Sequence, residues 1–230
     1  MTVLEVVQRA ATVLGIEIPS QVFPDTRRTM VEMKAAVNRA ALQISRDHDW
    51  TMLREIHTIA ENGSEFPLPS DYDRMVRDAE IVGTTWGHWP LKHINSLNDW
   101  ILLKENLAQT WSTYGYWTAY GGRIHVMPPS GAPFSFGYIT NNIVSAVNSG
   151  LPKERFTLDS DNFRLSEYLL ELALIWNWKA AKGDDYAEEM AAYQIALAEE
   201  ISKDRGSGIV RTGRSGIRGA RPSYSNRVRW

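Results

Sequence analysis

Cysteine is absent from the 230 residues, which excludes disulfides and thiolate metal sites. Acidic residues are absent from positions 205–230, although the chain holds 27 of them elsewhere. Long apolar runs are absent too. The best candidate, YLLELALIW, is interrupted by Glu171, so no segment is expected to span a membrane. The opening stretch MTVLEVVQRAATVLG carries Glu5, Gln8 and Arg9 within its apolar pattern, which does not suit a secretion signal. There is no Gly-rich phosphate loop, no HExxH pair, no serine in a nucleophile elbow and no internal repeat. The chain is therefore not expected to be an enzyme, and no cofactor or metal is expected.

The composition is 43% hydrophobic and 23% charged, that of an ordinary globular protein of one large or two small domains. The formal net charge of −2 hides an asymmetry. Residues 205–230 carry seven arginines, leaving 18 bases against 27 acids in the rest, so a body of about −9 bears an arm of +7. The arm also has five glycines and only scattered hydrophobic residues. Such a segment cannot bury enough apolar surface to repay the entropy of ordering itself. Extended, it reaches roughly 80 Å. Arg–Gly segments with tyrosine can hold nucleic acid through phosphate contacts and base stacking. Alternatively, the arm lies along an acidic groove of a protein, with Tyr224 and Trp230 as anchors. An acidic body offers no surface for gripping DNA, which favours the protein partner.

Helix signals dominate both ends. Thr2 and Glu5 form a capping box, Val3, Val6, Val7, Ala10, Val13 and Leu14 an apolar face, and Gly15 a stop. A second helix is predicted from Asp25 or Thr29 to about His48, with Thr29 and Glu32 as a second capping box. Asp159 and Asp161 are predicted to cap a helix over about 162–182, ended by Gly183. Asp185 and Glu188 open the next, whose stripe is Tyr186, Met190, Tyr193, Leu197 and Ile201. On the first of these two helices, Arg164, Glu167 and Glu171 form a polar stripe that continues as Ile175 and Trp178. A helix that turns apolar all round is covered at that end, either by the β part or by another subunit.

Between the helices the period shortens. Residues 52–60 suit a strand, Asn62-Gly63 a turn, and Phe66–Leu68 a returning hairpin arm. Further strands are predicted over 79–86 and 91–94, then a short helix capped by Ser96. Residues 114–120 and 123–127 make a hairpin through Gly121-Gly122, ended by Pro128 and Pro129. Phe134, Phe136 and Tyr138 alternate along another strand, and 141–158 reads as a polar loop. The fold class expected is α+β: an antiparallel helical bundle (1–49 and 159–204), an inserted, mostly antiparallel β domain (50–145), a connecting loop (146–158) and the extended arm.

Asp47-His48-Asp49 is the best candidate for acid–base or metal chemistry, but adjacent residues rarely converge on one ion, and a charged helix end explains it better. His88 and His93 fit no zinc spacing. The aromatic cluster Trp86, Trp89, Trp100, Trp111, Tyr114, Tyr116, Trp117 and Tyr120 suits, in order, a thin β core, a protein interface, or a sugar platform.

Three stretches together resemble the head-to-tail adaptor proteins of tailed bacteriophages, of the tail tubular protein A type. They are the helix ending near Trp50 followed by strand, turn and FPLPSDY; YGYWTAYGGRIHVMPPSGAPFSFGYI; and the helical hairpin with its arm. The resemblance implies a structural protein of the virion neck, assembled in the host cytoplasm. It implies a homo-oligomeric ring, commonly of twelve copies, between the portal protein and a tail hub or nozzle protein, with genomic DNA passing through its channel. The portal-binding arm would then act through Arg211, Arg214, Ile217, Arg218, Arg221, Tyr224, Arg227, Arg229 and Trp230. Ile175 and Trp178 are the expected subunit contact. A nucleic-acid-binding protein using the arm, or a sugar-binding tail component using the Trp/Tyr cluster, are the alternatives.

Overall fold

A computed structural model describes residues 1–77, 80–83, 90–106, 115–130, 133–147 and 150–205. The portal-binding residues expected in the arm lie outside these, as do Trp86, His88, Trp89, Trp111 and Tyr114. Among the described residues the chain is α+β, with five helices and several antiparallel pairings.

Helix α1 (Val3–Leu14) is bounded as its sequence dictates. Thr2 and Glu5 exchange both capping-box bonds, and Gly15 closes the end in the left-handed conformation at φ 65°. Helix α2 (Arg28–Asp47) differs from expectation at its start. Thr29 is already inside the helix, and no side chain caps it; Glu32 pairs with Arg28 and with Lys182 instead. Asp25 orders the approach by accepting from the Arg27 N–H at 2.8 Å.

The C-terminal helices are α4 (Glu167–Lys182) and α5 (Ala187–Arg205), and the short α3 (Leu97–Asn106) is capped at Ser96 as predicted. Helix α4 begins five residues later than its sequence suggested, with Ser166 as cap, because Asn162–Phe163 is taken into a strand. It packs against α1, α2 and α5. Their shared core is mostly aliphatic and includes Val7, Met33, Ile44, Leu170 and Leu174.

Strands β1 (Arg54–Ile59), β3 (Tyr72–Met75) and β4 (Val82–Gly83) all pair with β8 (Phe134–Thr140). Strand β2 (Gly63–Pro67) joins a different sheet, with β5 (Lys92–His93), β6 (Tyr116–Tyr120) and β7 (Arg123–Ser130), in the order β2-β7-β6-β5. The hairpin expected across Asn62-Gly63 therefore does not form: the chain passes from one sheet to the other there. The β6–β7 hairpin does form, with Gly121 and Gly122 at φ 60° and 71°. Pro128 and Pro129 lie inside β7 rather than ending it, where the pairing with β2 is irregular and a missing N–H is tolerated.

Strand β8 carries a second, aromatic core. Phe134, Phe136 and Tyr138 pack with Phe66, Trp117 and Ile124, whereas Ile139, one residue on, belongs to the helical core. Alternation along one strand thus serves two cores. The stretch read as a polar loop over 141–158 holds two strands, β9 (Val144–Ser145) and β10 (Pro152–Lys153), which pair with each other; β11 (Asn162–Phe163) also pairs with β9. Short strands of two residues show no alternation for a sequence reading to find.

Candidate functional site

The last residues of α2 and the two beyond it face three directions. Asp47 accepts a hydrogen bond from the Tyr193 hydroxyl of α5 at 2.8 Å. His48, 8% exposed, lies 3.2 Å from the Asp204 carboxylate at the end of α5 and edge-on to Trp50. Asp49 binds the Arg74 guanidinium of β3 at 3.0 Å and the Arg77 N–H at 3.0 Å. Arg74 also reaches the carbonyls of Ser45 and His48, both at 3.1 Å. Asp47-His48-Asp49 is therefore a junction tying α2 to α5 and to the sheet.

The charges of this junction follow its packing. Burial opposes the charge on Asp49, but the Arg77 N–H and the Arg74 guanidinium outweigh it and hold the carboxyl below its ordinary range. Burial, then the bond to Asp47, pushes the Tyr193 hydroxyl well up, so it stays a donor.

Asp204 fixes the point from which the arm departs. Its carboxylate accepts the Thr51 N–H at 3.1 Å and also binds the Thr51 hydroxyl and His48. The arm thus starts beside the 3-10 turn Thr51–Leu53 that leads into β1. A hollow of about 480 Å³ opens there, lined by Trp50, Met52, Leu165, Lys203 and Asp204 among others. A separate cleft of about 620 Å³ is lined by Arg46, Arg54, Arg74 and Arg77, with Asp47, His48 and Asp49 among the rest. Sequence reasoning missed Asp204, Arg74 and Tyr193. Asp204 lies 153 residues from Thr51, and no local pattern signals such a bond.

The remaining candidates are structural. Ile175 and Trp178 are 4% and 6% exposed within the helical core of the single chain, and the Lys182 ammonium lies 4.7 Å above the Trp178 ring. The chain itself covers them; the helix looked apolar all round because α1, α2 and α5 surround it. Asp159 and Asp161 do not cap α4. Asp159 accepts the N–H groups of Val22 and Phe23 at 3.0 and 2.9 Å. Asp161, fully buried, accepts from Thr157, Leu158 and Lys153. Backbone carbonyls of the same turn receive the first free N–H groups of α1: Val3 donates to Asp161 and Leu4 to Asp159.

Asp71, within FPLPSDY, accepts the hydroxyls of Tyr138 at 3.0 Å and Thr140 at 2.7 Å, and its carbonyl takes the Asn141 N–H. Burial, then this carboxylate, pushes the Tyr138 hydroxyl up to about 12. This stretch locks β3 to β8. In the aromatic cluster, Trp100 and Trp117 are each 3% exposed, and His93 stacks on Trp117 at 4.1 Å, so neither tryptophan offers a sugar an open face. Burial lowers the His93 pKa. Among the described residues no group of three or more His, Asp or Glu is placed to hold a metal ion, and no helix is long and apolar enough to cross a membrane.

A family model described as SU10 adaptor protein matches residues 1–219, taking in the junction, the Asp71 and Asp161 ties and the first half of the arm. The chain belongs to the SU10 adaptor protein family. No curated protein matches it in sequence. An SU10 adaptor is a structural component of a phage virion that interacts with other head or tail components, and such families are generally non-enzymatic.

Proposed function

We propose that this SU10 adaptor forms a ring of twelve copies between the portal and the tail. Genomic DNA passes through the channel without sequence-specific contact. The acidic body suits that passage, since it repels phosphate rather than gripping it. Residues 1–49 and 159–204 form the helical part of each subunit. Residues 50–145, joined to it by 146–158, form the β part that meets the tail hub or nozzle protein. Residues 205–230 dock on the portal protein, through the arginines from Arg211 to Arg229 and the anchors Ile217, Tyr224 and Trp230.

The observation that carries the docking role is the pin at Asp204. An arm of +7 leaves an acidic body from one fixed point, held to Thr51 and His48. A Gly-rich tether with a fixed root raises the effective concentration of its tip near that root, which suits capture of a preassembled partner.

The test is a truncation after Arg205, mixed with purified portal at low and high salt. The full chain should bind the portal, more weakly as salt rises, and the truncated chain should not bind. Portal binding that is unchanged by the truncation contradicts the docking role. Loss of DNA binding with portal binding retained assigns the arm to nucleic acid.

A further inference from the structure

The chain carries two unmatched charged surfaces at opposite ends of α5. One is the arginine cleft at the end of α2. Its two acids do not balance its four arginines: Asp49 holds Arg74 and the Arg77 N–H, and Asp47 is bonded only to the neutral Tyr193 hydroxyl. Arg46, Arg54 and Arg77 are exposed and form no ion pair among the described residues; Arg54 reaches only the Asp49 carbonyl. The other surface is the corner between α4 and α5. There Lys179 and Lys182 are engaged with Glu189 and Glu32, which leaves Asp184, Asp185 and Glu188 exposed and in no ion pair among the described residues.

These two surfaces cannot meet within one chain. Helix α5 has 19 residues and is roughly 28 Å long. Its far end is pinned beside the cleft by Asp204, and its near end follows the acidic corner. One helical turn, about 10 Å across and 5.4 Å high, occupies roughly 420 Å³. The cleft, at about 620 Å³, is of the same order. Guanidinium groups at its rim present forked donors that match carboxylates.

We infer that the arginine cleft of one copy receives the acidic α4–α5 corner of the next. Two different patches on one chain make a heterologous contact, the kind that closes into a ring when the rotation between copies permits. This inference rests on the proposed ring and supplies its contact.

Charge reversal tests it in the full-length chain. Arg46→Glu with Arg77→Glu reverses the cleft; Asp184→Lys with Glu188→Lys reverses the corner and spares Asp185, which accepts the Ala187 N–H. All four positions are exposed, so both variants should fold, with a small drop in melting point because Arg46→Glu and Glu188→Lys each oppose a helix dipole. Self-association is read by sedimentation at low and high salt, alone and on purified portal. Either reversal should weaken association at least about tenfold, and mixing the two variants should restore it, because each then meets an opposite charge. Rings that persist in both variants overturn the contact while leaving the ring itself standing. Weakening by the cleft reversal that the corner reversal fails to rescue also overturns it, and assigns the cleft to an acidic partner segment. A wild-type chain that stays monomeric both alone and on the portal overturns the inference and the ring together.

Discussion

The two cores of this adaptor are built differently. The helical core is aliphatic, drawn from helices with apolar residues three and four apart, and polar ties at its rim fix how the helices meet the sheets. The β core is aromatic, and its strands come from places far apart in the chain: β1 pairs with the much later β8, and β2 with β7. Local pattern suffices to form each helix of the first, whereas the strands of the second exist only once distant segments have paired. Assembling the helical core nevertheless closes the longer loop, residues 48–166 between α2 and α4 against 60–133 between β1 and β8.

The largest effect expected from breaking this contrast is at Trp178. Trp178→Asp removes a large side chain from the helical core and buries a charge there, so thermal or denaturant unfolding should show a loss of about 3–5 kcal/mol or more. A folded, full-stability Trp178→Asp monomer would mean that the core does not depend on this side chain. Next is Ile124→Ala in the β core, where a loss of about 2–5 kcal/mol is expected. If the two cores unfold as one unit, circular dichroism and tryptophan fluorescence should report the same midpoint for this variant. Separate midpoints would show that β8, shared by both cores, does not couple them.

The ties come next. Asp161→Asn takes the charge from a fully buried carboxylate that accepts two backbone N–H groups and Lys153, and should cost about 1.5–3 kcal/mol. Burial opposes this charge, but Lys153 and the Thr157 and Leu158 N–H groups prevail, so the folded pKa lies below the ordinary 3.8. Asp49 is shifted the same way. Both contributions are thus complete above the unfolded value and are lost as pH falls through the lower folded ones. Stability should fall steeply below about pH 4, and less steeply in Asp161→Asn. An unchanged acid limb would mean that Asp161 does not contribute in this way. The smallest effect is at the β6–β7 turn. Gly121→Ala, at φ 60° with no side chain nearby, should cost only about 1–2 kcal/mol, from backbone strain alone.

Legibility in the sequence followed the same divide. Thr2, Glu5, Gly15 and Gly183 bounded their helices because a cap is a bond between near neighbours. Gly121-Gly122 marked its hairpin for the same reason. Thr29 with Glu32 matched the capping-box spacing and yet Glu32 was drawn to Lys182, 150 residues away. Phe66 has the look of a hairpin arm, but its partner strand is β7. The junction at Asp47-His48-Asp49 was visible as a cluster, and its partners Tyr193, Asp204 and Arg74 were not, since each is supplied by a distant element. Charge asymmetry between body and arm needed no structure, but the opposed surfaces at the two ends of α5 did.

The most direct test of the adaptor role is an image of the neck. Electron microscopy of particles should show this chain as a ring at the portal vertex, and particles assembled with the chain truncated after Arg205 should lack both the ring and the tail. Tailed particles assembled from the truncated chain, or a neck from which the chain is absent, would contradict it.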